Sequence, residues 1–190
     1  MGQTAGSIVA ESGTEYSDAV GEIIRGWAQT RPELDVSALE IFGRLHRSYL
    51  LYRSSINANF ERFGTNEAGF DVLASLRRAE PDHRRTAGEL AKQTLVTTGG
   101  LTLRVNRLED AGLVTRERDE TDARVVYVTL TDAGHELIDS VADAHFAELD
   151  RMLAGVGVRD RATLARLLSA LEGSLHAATD EETLPGAESA

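Results

Sequence analysis

The residues best suited to chemistry lie between Arg84 and Arg124. That stretch holds 8 basic residues (Arg84, Arg85, Lys92, Arg104, Arg107, Arg116, Arg118 and Arg124) and 7 acidic ones, against 12 basic and 24 acidic in the rest of the chain. Guanidinium groups fork onto phosphate oxygens and guanine edges, so the chemistry on offer is recognition of a polyanion. A net charge of −11 argues against phosphate at first sight, because phosphate contacts need cations. An acidic body carrying one near-neutral, arginine-rich module suits a DNA binder that does not cling to DNA everywhere. Within the module Thr97, Thr98, Thr102, Asn106 and Arg107 are of the types that reach base edges and phosphates from a recognition helix. Thr86, at the start of the preceding helix, is counted with them. Arg124 stands where a cation enters a narrow minor groove, and Asp122 is placed to hold it in a salt bridge. By residue type alone the same set also reads as a solvated helix face and a loop charge.

Other chemistries find no support. No serine or threonine sits in a nucleophile motif, and Gly99-Gly100 is too little for a phosphate-cradling loop. No catalytic residue or cofactor site is assigned, and the chain is not expected to be an enzyme. With Cys 0 and His 5, thiolate chemistry is excluded and the scattered His46, His83, His135, His145 and His176 form no metal-ligand pair. No apolar run approaches the roughly 20 residues that span a bilayer. The start, MGQTAGSIVAESG, lacks a basic stretch and an apolar core. The expected location is therefore the cytoplasm, with no membrane contact.

These side chains need elements to hold them. Val20, Ile23, Ile24 and Trp27 recur at helical spacing and predict an added helix within 15–30, after a disordered stretch at 1–14. A long helix follows, capped by Asp35 or Ser37 and stopped at Gly64. It is longer than one small domain needs, which points to a second subunit. Thr65 is expected to cap the next helix. Thr86 and Glu89 have capping-box spacing and open a short helix, and a break at Leu95-Val96 precedes a second, with Leu101, Val105 and Leu108 inside and Gly112 at its end. That is a helix-turn-helix. LVTRER and VVYVTL then read as two strands joined by DETDAR, a wing. Helical periodicity returns from Thr131 to about Leu153, with His145 on the apolar stripe, and from Arg159 to about Ala177. The expected fold is mainly α with a small β-wing, its DNA-binding lobe at 65–130. Helical dimerisation regions fall at 31–64 and 131–178, and a disordered acidic tail at 179–190.

The segment GELA…TTGGLTLRVNRLEDAGLVTRERDETDARVVYVTLTDAG, set in this order of elements, strongly resembles the MarR family over about residues 33–176. The resemblance implies an intertwined winged helix-turn-helix homodimer on double-stranded DNA, most often a ligand-released repressor. The upstream helix with the only tryptophan, then WAQTRPELD, looks like the branch containing PecS and HucR, whose members bind urate or related small anions. Residue by residue, that likeness assigns a ligand site to Trp27, Asp71, Arg104 and Arg116, for a urate-like or carboxylate effector. One departure concerns the wing, where Ala123 and Arg124 stand in place of two consecutive arginines.

The residues themselves say less about this site. Arg104 lies on the Leu101–Val105–Leu108 side of its helix, where an unpaired guanidinium is expensive. It needs a protein carboxylate, a ligand anion or water at the rim. Asp71 reads as a surface charge, Trp27 as core packing or ligand stacking, and Arg116 as easily contacts phosphate or an acidic neighbour. The competing function is a winged-helix module that binds protein and not specific DNA.

Overall fold

A computed structural model describes residues 18–94, 98–122 and 124–182 and separates into two compact units, 1–55 and 56–190. The disorder expected at 1–14 and beyond 182 lies outside the described residues.

In the first unit α1 (Ala19–Thr30) starts where the Asp18 side chain accepts the Gly21 N–H at 2.8 Å. The same carboxylate accepts from Arg44 Nε at 2.9 Å and Nη2 at 3.2 Å, tying the start of α1 to α2 (Leu39–Glu61). Val20, 2% exposed, packs where an added Gly43 side-chain carbon would come within 2.8 Å of it. Along the rest of the α1 apolar stripe Ile24 is half-buried, while Ile23 and Trp27 are exposed. Periodicity marks which residues share a face and says nothing about what covers it.

In the second unit α2 ends on a glycine motif. Gly64 has φ +67°, and the Thr65 N–H donates to Phe60 O at 3.2 Å, closing the last turn. Thr65 is thereby part of the end of α2. The cap of α3 (Glu67–Arg77) falls one residue later, on Asn66, whose Oδ1 accepts the Gly69 N–H at 2.9 Å. A three-residue strand not anticipated from the sequence, β1 (Arg84–Thr86), leads into α4 (Ala87–Gln93). The capping box is present in both directions: Thr86 Oγ1 accepts the Glu89 N–H at 3.2 Å and Glu89 Oε2 accepts the Thr86 N–H at 2.8 Å. Next come α5 (Thr98–Asp110), β2 (Val114–Arg118), β3 (Val126–Leu130), α6 (Asp132–Met152) and α7 (Val158–Glu182). The strands form an antiparallel sheet in the order β1-β3-β2. Helix α7 runs on to Glu182 instead of ending at 178.

In α5 burial follows the predicted stripe. Val72, Leu73 and Leu76 of α3, Leu90 of α4, Leu101, Val105 and Leu108 of α5, Val114 and Val128 of the wing and Ile138 of α6 form one core. A smaller cluster joins Ile56 and Phe60 to Val141. His145 completes it by stacking on Phe60, with centroids 5.3 Å apart, and burial pushes its imidazole below the ordinary histidine range. By contrast, no described side chain of α7 is buried.

Candidate nucleic-acid interface and effector site

The reader is α5. Its inner stripe is sealed against α3 and α4, and its C-terminus is pinned by Gly112 (φ +72°), with the Leu113 N–H donating to Leu108 O at 2.9 Å. This fixes the helix while leaving Thr102 and Arg107 exposed. Asn106 is half-buried, and its amide oxygen accepts from Arg116 Nη1 at 2.6 Å. Thr98 opens the helix, and its side chain, like the whole of Thr97, lies outside the described residues. Thr86 keeps its hydroxyl in the α4 capping box.

The wing tip is held by acceptors on its acidic side chains. Asp119 Oδ1 accepts from the Thr121 hydroxyl at 2.6 Å and from the backbone N–H of Thr121 and Asp122 at 2.8 and 2.9 Å. These bonds, led by the Thr121 hydroxyl, hold its carboxyl down at about 2. Asp122 Oδ1 accepts the backbone N–H of Arg124 at 3.0 Å. The two residues therefore meet carboxylate to backbone, and among the described residues no ion pair joins their side chains. An Asx-type turn satisfies the carboxylate locally and leaves the exposed guanidinium to solvent or DNA.

A further cation was not foreseen. The Arg84 guanidinium stacks on the Tyr127 ring, 3.7 Å from its centroid, and lies 3.6 Å from Glu117. Because β1 is short and polar, no periodicity signals that Arg84 faces β3.

The expected ligand residues divide. Arg104 lies on the α3 side of α5, with Nη1 buried and making no hydrogen bond. It lines a cavity of about 420 Å³ together with Thr65 at the end of α2, Asn66 and Gly69 at the start of α3, and Arg107 and Leu108 of α5. Asp71 of α3 is half-buried. Burial pushes its carboxyl above the ordinary range, Glu67 adds to this, and the charges of Arg104 and Arg78 oppose it. Arg116 is on the other flank of α5, where Nε donates to Glu109 Oε2 at 2.8 Å and Nη2 pairs with the same oxygen. Asp71 and Arg104 thus feel each other's charge, Arg116 faces the wing side of the reader, and Trp27 belongs to the first unit. Among the described residues no cluster could hold a metal ion, and no helix is long and apolar enough to cross a membrane.

A helix-turn-helix followed by a two-stranded wing with exposed cations defines a winged-helix DNA-binding regulator. The family model described as MarR family matches residues 63–125. The HTH-type transcriptional regulator PecS of Dickeya dadantii is 31% identical over 156 residues, covering 82% of this chain and 94% of PecS. The chain belongs to the MarR family, with a PecS-like sequence, and that family consists of transcription regulators, not enzymes. Among solved structures, a mutant MarR from E. coli complexed with operator DNA is 28% identical with TM-score 0.63, covering 73% of this chain and 99% of that one. BpsR of Bordetella bronchiseptica, whose DNA binding is regulated by 6-hydroxynicotinic acid, is 21% identical with TM-score 0.62 over 70% of this chain and 92% of that one.

Proposed function

We propose that this DNA-binding regulator is a homodimeric repressor that a small anion releases from a pseudo-palindromic operator. The observation that carries the effector half is Arg104, a guanidinium with a buried, unbonded Nη1 on the reader helix beside a cavity of about 420 Å³. An anion there gains a charge-assisted partner and competes with Asp71 for it. Pulling on Arg104 tilts α5, so the DNA-bound and ligand-bound arrangements differ, and each ligand weakens the other by the same factor. Small planar or carboxylate anions fit this chemistry, as the 6-hydroxynicotinic acid that regulates BpsR illustrates. Trp27 and Arg116 complete the set that the family resemblance assigns. Arg116 would act through its bonds to Asn106 and Glu109.

Titrating urate or 6-hydroxynicotinate into the protein–DNA complex tests this, with Trp27 fluorescence as a second readout. The anion is expected to quench Trp27 and release DNA, and Arg104→Ala to lose the response while still folding. DNA release that persists undiminished in Arg104→Ala would remove Arg104 from the site.

The operator half has its own measurement. A two-fold dimer with two readers should protect half-sites about 10 bp apart. In Arg124→Ala the slope of log affinity against log salt should flatten by about 1, because one fewer cation is neutralised on the DNA. An unchanged slope would take Arg124 off the contact surface.

A further inference from the structure

We infer that Arg116 is a positioning residue that sets Asn106 of the reader helix as a donor-only contact to DNA. The inference rests on α5 being the DNA reader. Arg116 projects from β2, where its backbone pairs with Val128, and its guanidinium spans two side chains of α5 one turn apart. Glu109 anchors the guanidinium through Nε at 2.8 Å and through Nη2. The remaining arm, Nη1, reaches Asn106 Oδ1 at 2.6 Å.

Which way an asparagine amide faces is usually ambiguous between oxygen and nitrogen. Here it is not, because a guanidinium has donors only, so the group it meets must be the amide oxygen. The Asn106 Nδ2 then turns away from the wing with two N–H donors, and among the described residues no acceptor takes them. The fork on Glu109 matters because a single exposed contact would wander, whereas a two-point grip fixes where Nη1 ends up. That grip also holds the Glu109 carboxyl below its ordinary range.

The consequence is a restriction on readout. Asparagine reads adenine by using oxygen and nitrogen together, accepting from N6 and donating to N7. With Oδ1 turned onto the guanidinium, Asn106 cannot present oxygen and nitrogen together to one base edge, and what it turns outward is the Nδ2 donors. Its partners are acceptors: the N7 and O6 of guanine, the O4 of thymine, or phosphate oxygens. Arg116 thereby removes adenine from the bases Asn106 can favour, without touching DNA itself.

The test uses the full chain, selection from a randomised duplex library, and a double-mutant cycle on DNA affinity. The position read by Asn106 is the one whose preference disappears in Asn106→Ala. Wild type and Arg116→Lys are expected not to select adenine there, and Arg116→Ala to gain adenine by about tenfold. If Asn106 meets phosphate, Asn106→Ala weakens all duplexes alike, and Arg116→Ala weakens them about tenfold without a change of base. In both cases most of the Arg116→Ala effect should vanish in the Asn106→Ala background. Asn106→Asp, which keeps the Arg116 contact but has no donors, should lose at least tenfold in affinity at an unchanged unfolding midpoint. Adenine selected by the wild type, additive single-mutant effects, or wild-type affinity in Asn106→Asp would each overturn the assignment. Failure of the wild type to bind any duplex would instead sink the reading of α5 as a DNA reader.

Discussion

Gly134→Ala is expected to lower the unfolding free energy by about 3 kcal/mol, the upper end of the usual cost of overpacking. Gly134 is the glycine of the LTDAG stretch and lies in the first turn of α6, where its N–H donates to Thr131 Oγ1 at 3.0 Å. A side-chain carbon there would sit inside the van der Waals envelope of the Leu113 carbonyl oxygen and 3.1 Å from a Leu130 methyl. Neither neighbour can yield cheaply. The Leu113 N–H closes the end of α5, and its carbonyl accepts the Thr131 N–H at 3.1 Å. Leu130 is paired with Val114 across the wing. The helix start must therefore back away from the junction of reader and wing. Against a total stability of about 5–15 kcal/mol, that is a large fraction. Urea unfolding of the two proteins measures it. Gly26→Ala, whose added carbon meets nothing within 4 Å, is the matched control. A Gly134→Ala loss below about 1 kcal/mol would mean that the contact relaxes freely.

The second large effect is expected from α7. Its 25 residues make a helix about 37 Å long. Leu164, Leu167, Leu168 and Leu175 lie on it, between 42% and 51% exposed in one chain. Fully burying a leucine contributes about 1.5–3 kcal/mol, so a stripe of this kind is a strong drive to associate. In the proposed dimer, Leu164→Glu with Leu168→Glu places two carboxylates one turn apart in the interface. A monomer tolerates them because neither side chain belongs to a core. The double variant should keep its helical content and sediment near the 20.6 kDa chain mass, whereas the wild type sediments near twice that value. Its DNA affinity should fall about 100-fold or more, because the second half-site is no longer tethered to the first. A double variant that remains a dimer at micromolar concentration would show that α7 is not the dimerisation helix.

What the sequence determined by itself is whatever short-range geometry decides. The Thr86–Glu89 box, the glycine endings at Gly64 and Gly112, the α5 stripe of Leu101, Val105 and Leu108, and the two wing strands each depend on neighbours within one or two turns. Such signals survive in a linear string, and with them the winged-helix class was legible. His145 was legible for the same reason, since its place on the α6 stripe outweighed its polarity. Tertiary structure alone decided the rest. Strand β1 exists because Arg84–Thr86 pairs with β3, not because three polar residues prefer extension. The grip of Arg116 on Asn106 and Glu109, the stacking of Arg84 on Tyr127 and the buried Nη1 of Arg104 all join or isolate groups on different elements. Periodicity fixes which way a side chain faces on its own helix or strand. What it meets there depends on how the elements pack, and a long cationic side chain reaches far enough that its partner is set by that packing.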